Sequence, residues 1–166
     1  MVQAFTGEHT QRVDKKGRMS VPADFRRVLV DGDPECQEGG NPRIALIYGR
    51  HLKQNIQAYT INEYQRLVDE IYAMPREKAR DQSRLAHLYI TQSLKLDVDK
   101  DGRIILPAKL RQKLEIEEGE IYCRGMIAYF EMWNNEIFEA TVNADIDEWL
   151  DDMGDDFDPL SKLGGS

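Results

Sequence analysis

The sequence predicts an α+β, β-rich fold made of two pseudo-symmetric βα units that share one core. The first observation behind this is an internal repeat. Val13-Asp14-Lys15-Lys16-Gly17-Arg18-Met19-Ser20-Val21-Pro22-Ala23-Asp24-Phe25-Arg26 returns 85 residues later as Val98-Asp99-Lys100-Asp101-Gly102-Arg103-Ile104-Ile105-Leu106-Pro107-Ala108-Lys109-Leu110-Arg111. Eight of the fourteen positions are identical and three more keep an apolar residue. Self-similarity of this kind marks a duplicated structural unit. The second observation is that each copy carries strand, turn, strand and helix signals in the same order. The third is size. In a chain of 166 residues, a half of about 75–85 residues has only a thin core of its own. The halves are therefore expected to share a core, and to extend it to other subunits.

Along the first copy, alternation through Thr10–Val13 predicts a strand. Asp14 to Gly17 reads as a turn, because Asp bonds its own backbone and Gly accepts a positive φ. A strand resumes at Arg18–Val21 with Met19 and Val21 on one face. Pro22 suits the first turn of a helix, where its missing N–H costs nothing, and that helix runs to about Leu29. Further strands are expected at Ile44–Tyr48 and Gln57–Ile61. A helix follows from Asn62, in which Tyr64, Leu67, Val68, Ile71 and Tyr72 recur at core-facing spacing and which Pro75 ends. A linking helix spans about Arg76–Ile90. The second copy predicts strands at Leu94–Val98 and Arg103–Leu106, a helix at Pro107–Leu114, strands at Ile121–Arg124 and Ile127–Trp133, and a helix from about Asn134.

The expected organisation is a first unit over residues 1–75, a linker helix over 76–93, a second unit over 94–144, and an acidic, disordered tail over 145–166. Asp31–Pro42 has no counterpart of equal length in the second half and reads as an exposed loop.

The net charge of −8 is segregated. Residues 145–158 carry eight acids and no base; residues 11–27 carry six bases and two acids, and residues 98–113 five bases and two acids. Both repeat copies are thus basic patches, and the overall charge is a poor guide to the partner. Cys36 and Cys123 show no metal-like spacing, and no apolar stretch suits a signal peptide or membrane span. A cytoplasmic chain with reduced cysteines is expected, with no metal, no cofactor and no small-molecule substrate.

Catalytic patterns are weak. His9, His51 and His87 are scattered, and one glycine per turn cannot cradle a pyrophosphate. Asp14 and Asp99 could form a carboxylate pair, but they read better as turn formers, together with Gly17 and Gly102. The basic residues are more informative. Lys15, Lys16 and Arg18 lie on or beside one hairpin tip, and Lys100 and Arg103 on the other. A two-stranded ribbon can enter the DNA major groove. There Arg18 and Arg103 can bond guanine O6 and N7 bidentately, while Lys15, Lys16 and Lys100 suit phosphates. The competing reading is a set of solvated turn charges; doubling of the pattern favours DNA. Arg26, Arg27, Arg111 and Lys113 follow on the helices, where Arg26 and Arg111 are expected on an ordinary solvent face or at a subunit contact. Arg76, Arg80, Arg84 and His87 form a stripe that either flanks a DNA surface or is merely wet.

Both motif copies, together with Phe5-Thr6-Gly7-Glu8 and Phe130-Glu131-Met132-Trp133-Asn134, closely resemble the MraZ family of bacterial transcriptional regulators over about residues 3–140. The resemblance implies tandem SpoVT-AbrB-like, swapped-hairpin units that form a shared β-barrel with flanking helices. It implies a ring-shaped homo-oligomer, associated with the nucleoid, that binds short G-rich direct repeats in double-stranded DNA. The implied role is regulation, typically repression, of its own operon in the division and cell wall gene cluster, without catalysis. The family's Asp-x-x-x-Arg pairs fall on Asp14/Arg18 and Asp99/Arg103. The alternative from another class is an antitoxin-like oligomeric protein-interaction module whose acidic tail binds a partner.

Overall fold

The computed structural model describes residues 4–164. Its centre is one eight-stranded antiparallel sheet. The strands are β1 (Glu8–Val13), β2 (Arg18–Ser20), β3 (Arg43–Ile47), β4 (Asn55–Tyr59), β5 (Ser93–Asp97), β6 (Arg103–Ile105), β7 (Gly119–Gly125) and β8 (Phe130–Asn134). They lie in the order β5-β3-β4-β8-β7-β1-β2-β6. The two end strands are consecutive in the chain. The Asp99 amide donates to the Arg103 carbonyl at 2.9 Å, matching the 3.1 Å bond from Asp14 to Arg18 between β1 and β2. The sheet is therefore a nearly closed barrel, which removes most of the exposed strand edge.

The halves are interleaved. β1 of the first half runs along β7 of the second, from Glu8↔Arg124 to Val13↔Gly119. Its counterpart β5 runs along β3, from Arg43↔Asp97 to Ile47↔Ser93. β2 pairs with β6 through Met19↔Ile104, and β4 pairs with β8. Four of the seven strand adjacencies thus join one half to the other, so neither half owns a complete sheet. The expected α+β fold with two repeated units is what the chain adopts.

Inward residues of all the strands make one core. Val13, Met19, Ile44, Leu46, Ile56, Val98, Ile104, Ile121, Cys123, Phe130 and Met132 are buried together. Phe25 stacks against Phe130 at 4.6 Å, and Phe5 meets both rings edge-on. Burial in this apolar core pushes the Cys123 thiol up to about 12, because the thiolate is poorly solvated there.

Helices α1 (Ala23–Asp31) and α4 (Ala108–Lys113) follow the two motif hairpins. Pro22 and Pro107 sit at their N-caps, one position before the expected place, with extended backbone. Both helices put apolar residues, Phe25, Val28 and Leu29 or Leu110, into the core. Helix α2 (Ile61–Tyr72) is capped by Thr60, whose hydroxyl accepts from the Glu63 amide. It covers the outer face of β3 through Ile61 and Tyr64 against Ala45 and Ile47. That cover explains why β3 is apolar on both faces. Tyr72, expected in the core stripe, is 85% exposed at the end of α2. The linker is a 3₁₀ turn, Arg76–Lys78, then α3 (Ala79–Ala86), then a π-helical turn, His87–Thr91.

Two compact units divide at α5 (Asn135–Phe138), the first ending at Asn135 and the second running over Glu136–Ser166. The second unit contains α6, Ala144–Met153. The acidic segment expected to be disordered is therefore helical over much of its length. Ile146, Trp149, Leu150 and Met153 recur at i, i+3, i+4 and i+7, a stripe that favours an amphipathic helix. Trp149 also packs edge-on against Phe157 at 5.3 Å. Among the described residues, no helix is long and apolar enough to cross a membrane.

Candidate nucleic-acid interface

Both tips are closed by one set of bonds. Asp14 Oδ1 accepts from the amides of Lys16 and Arg18, each at 2.9 Å, and the Asp14 carbonyl accepts from the Gly17 amide at 2.9 Å. Asp99 Oδ1 accepts from the amides of Asp101 and Arg103, each at 2.9 Å, and its carbonyl from the Gly102 amide at 2.9 Å. An Asp begins each turn because its short carboxylate reaches two amides ahead of it. Gly17 and Gly102 have φ of +87° and +77°, where a Cβ is strained.

The tips are not equivalent in how they hold their arginines. Arg18 Nε donates to Asp14 Oδ2 at 2.7 Å. That bond, with those from the Arg18 and Lys16 amides, holds the Asp14 carboxyl below the usual carboxylate range. The Asp99 carboxyl is also lowered, chiefly by the Arg103 amide. Arg103, however, turns to Asp101, with Nη2 3.3 Å from Oδ2. Asp101 occupies the position of Lys16 in the first copy, so the second tip has exchanged a base for an acid that engages its own arginine.

The pairing of β2 with β6 brings the two arginines onto one surface. The register sets Arg18 opposite Ile105 and Ser20 opposite Arg103. Met19 and Ile104 point into the barrel, and these four point outward. Arg18 and Arg103 are diagonal neighbours on one face of a two-stranded ribbon, a separation of about 7–8 Å and somewhat less between Cβ atoms. Ile105 lies beside them, 63% exposed. Lys15, Lys16 and Lys100 are exposed at the tips that bound the ribbon. Lys15 Nζ also lies 3.7 Å from Glu118.

The ends of the ribbon are tied across the halves. The Leu106 amide donates to the Gly17 carbonyl at 2.7 Å, and the Val21 amide to the Gly102 carbonyl at 2.9 Å. Arg111 and Arg26 occupy matching places behind the turns. Arg111 Nε donates to the Leu106 carbonyl at 3.0 Å and its Nη1 to the Lys15 carbonyl at 3.1 Å. The Arg26 guanidinium lies against Gly102 of the other half. Neither arginine is the plain solvent-face residue that its helix position suggests. Their signal was in the repeat, whose final Arg is identical in both copies. Lys113 is also internal in its bonding, donating to the Gly49 carbonyl at 3.1 Å.

The long loop after α1 reaches the second tip. The Pro42 carbonyl accepts from the Val98 amide at 2.9 Å, and Gly39, Gly40 and Asn41 line one cleft with Asp99, Lys100 and Gly102. Asp33 anchors the loop. Its carboxylate takes Arg43 bidentately, at 2.9 Å to Nη2 and 3.1 Å to Nε. The Arg43 guanidinium lowers the Asp33 carboxyl to about 2. Arg84 of the linker stripe pairs with Asp81 at 3.4 Å. Among the described residues, no group of three or more His, Cys, Asp or Glu side chains could hold a metal ion.

A family model described as "MraZ protein, putative antitoxin-like" matches residues 4–85 and 90–153, one segment for each repeat copy. The chain is similar to the "Transcriptional regulator MraZ" of Ruegeria pomeroyi, with 39% identity over 166 residues, covering 100% of this chain and 98% of the relative. It is similar to the protein of that name from Cereibacter sphaeroides strain KD131, with 35% identity over 170 residues and 99% of each covered. The protein of that name from Herpetosiphon aurantiacus is 32% identical over 146 residues, covering 87% of this chain and 90% of the relative.

Proposed function

The chain belongs to the MraZ family, and from that premise we propose that it is a transcriptional regulator that reads double-stranded DNA with its β2–β6 ribbon. The single observation that carries this is the exposure of Arg18 and Arg103 on one face of a two-stranded antiparallel ribbon. Such a ribbon fits the major groove, and a guanidinium there bonds guanine bidentately. With Nε of Arg18 committed to Asp14, the two terminal nitrogens are left for the base. Lys15, Lys16 and Lys100 contact the flanking phosphates and set the register.

The operator is a set of short G-rich direct repeats upstream of the chain's own operon, and the bound form is a ring-shaped oligomer that represses it. One ribbon offers few charges, so a single contact falls near the non-specific range of about 10⁻⁴–10⁻⁶ M. Repetition around a ring makes each later contact intramolecular, which adds about 10²–10⁴ in avidity. The site works without catalysis, in the cytoplasm at the nucleoid. The test is a footprint of the purified protein on DNA upstream of its own gene. Protection of spaced G-rich repeats, lost in Arg18→Ala, supports the proposal; no protection overturns it.

One observation favours a second reading, the antitoxin-like interaction module. Helix α6 carries an apolar stripe, Ile146, Trp149, Leu150 and Met153, whose members are 38–41% exposed, alongside its acids. Tight binding of a basic protein through residues 145–158, with no sequence-dependent DNA binding, supports this module instead.

A further inference from the structure

We propose that Arg111 is a positioning residue for the first DNA-reading tip, holding the Lys15–Arg18 turn from the opposite half of the molecule. The inference rests on the DNA-binding role given above and goes beyond it to a residue that need not touch DNA.

The turn is held from two sides. From within, Asp14 binds the amides of Lys16 and Arg18 through its carboxylate and that of Gly17 through its carbonyl. From the other half come the bonds to the Lys15 and Gly17 carbonyls. Leu106 donates to the Gly17 carbonyl. Arg111 donates through Nη1 to the Lys15 carbonyl, and through Nε to the carbonyl of that same Leu106. Arg111 thus holds the turn directly at Lys15 and indirectly through Leu106. A third, longer contact runs from Nη1 to the Glu117 carbonyl at 3.4 Å. One planar fork bridges separate carbonyls in fixed directions, which a lysine ammonium on a flexible stem cannot reproduce. The fit is close: a Cβ on Gly17 would meet the Leu106 carbonyl and lie 3.3 Å from Arg111 Nε.

The second tip shows what the arrangement lacks without these bonds. Arg26 packs against Gly102 in the equivalent place, but its Nε is buried without an acceptor among the described residues. The first tip is therefore the better anchored of the two. It is also the tip whose Arg18 stays on its own turn aspartate while Arg103 turns to Asp101.

A phosphate-binding residue and a positioning residue differ in their salt signature. Losing a phosphate contact weakens all DNA alike and lowers the salt slope by about one. Losing the shape of the tip weakens the cognate complex selectively, because base reading depends on where Arg18 is held.

The experiment compares the full chain with Arg111→Ala, Arg111→Lys and Arg26→Ala. It measures amide hydrogen exchange, and affinity for a duplex from upstream of its own gene and for a scrambled duplex over a range of salt. In Arg111→Ala and Arg111→Lys, the Lys16, Gly17 and Arg18 amides should exchange at least about tenfold faster while those of Ile44–Ile47 are unchanged. Cognate affinity should fall by at least about tenfold, with scrambled-duplex affinity and salt slope retained. Arg26→Ala should leave the first tip as it was. Unchanged tip exchange overturns the proposal. So does full rescue by lysine, or equal weakening on both duplexes with a lower slope, which marks a phosphate contact. Unfolding of both Arg111 variants also overturns it, since the residue would then support the barrel and not the tip. If the unmodified chain bound neither duplex, the DNA-binding role would fall, while tip exchange would still decide the role of Arg111.

Discussion

The Gly17 carbonyl accepts a 2.7 Å hydrogen bond from the Leu106 amide, so the tip of one half is fastened to the end of β6 in the other. The repeat supplies the mirror bond, from Val21 to Gly102. Gly17 is suited to this place twice over: its φ is positive, and a side chain there would run into the Leu106 carbonyl.

Gly17→Ala is expected to lower stability by at least about 1–3 kcal/mol from backbone strain alone. The added contact with Leu106 should raise the loss further. Thermal or urea melting checks this. A melting curve superimposable on that of the unmodified chain would rule out the close approach.

A fragment of residues 1–75 should not fold. Its β1 lacks β7, its β3 lacks β5 and its β4 lacks β8. What is left is isolated hairpins, which are marginal in water. Circular dichroism and melting of the fragment decide the matter; a soluble monomer with a cooperative transition would be the wrong result for an interleaved barrel.

Asp33→Asn should change the acid response. The Arg43 bond lowers the Asp33 carboxyl to about 2 when folded. In the unfolded chain the group titrates near its ordinary value of 3.8. A depressed pKa contributes stability that is complete above the unfolded value and is lost as pH falls from about 4 towards 2. The contribution at neutral pH is about 2 kcal/mol. The variant should therefore melt earlier at pH 7 and show a flatter stability profile between pH 4 and 2. An unchanged profile in that window would show that the pair is not stabilising.

Asp101→Lys should strengthen the second tip. It restores the base found at Lys16 and frees Arg103 from the contact at 3.3 Å. DNA affinity should rise at low salt, and the salt slope should steepen by about one for each added phosphate contact. Filter binding across salt concentrations reads both, and weaker binding would show that the Arg103–Asp101 contact is the productive one.

The hairpin, turn and helix of each half follow from the repeat, because Asp, Gly and Pro act on the residues beside them. Long-range pairing is written less openly. No local signal says that β2 lies beside β6, yet that pairing alone sets Arg18 and Arg103 on one face. Arg111 was hidden for the same reason. On its helix it looks like a solvent residue, and its acceptor on Lys15 lies 96 positions away in the chain. The helix at Ala144–Met153 was obscured by its acids. Their composition suggests disorder, while the spacing of Ile146, Trp149, Leu150 and Met153 is helical.

Reading of guanines by the motif arginines is tested most directly by one binding titration. The unmodified chain, Arg18→Ala, Arg103→Ala and Lys15→Ala are titrated against a duplex carrying the upstream repeats and a scrambled duplex, at several salt concentrations. Arg18→Ala should cost about 1–3 kcal/mol per site on the repeats and erase their advantage over the scrambled duplex. Arg103→Ala should act in the same direction. Lys15→Ala should weaken both duplexes alike and lower the salt slope. Undiminished preference for the repeats in both Arg18→Ala and Arg103→Ala would contradict the account.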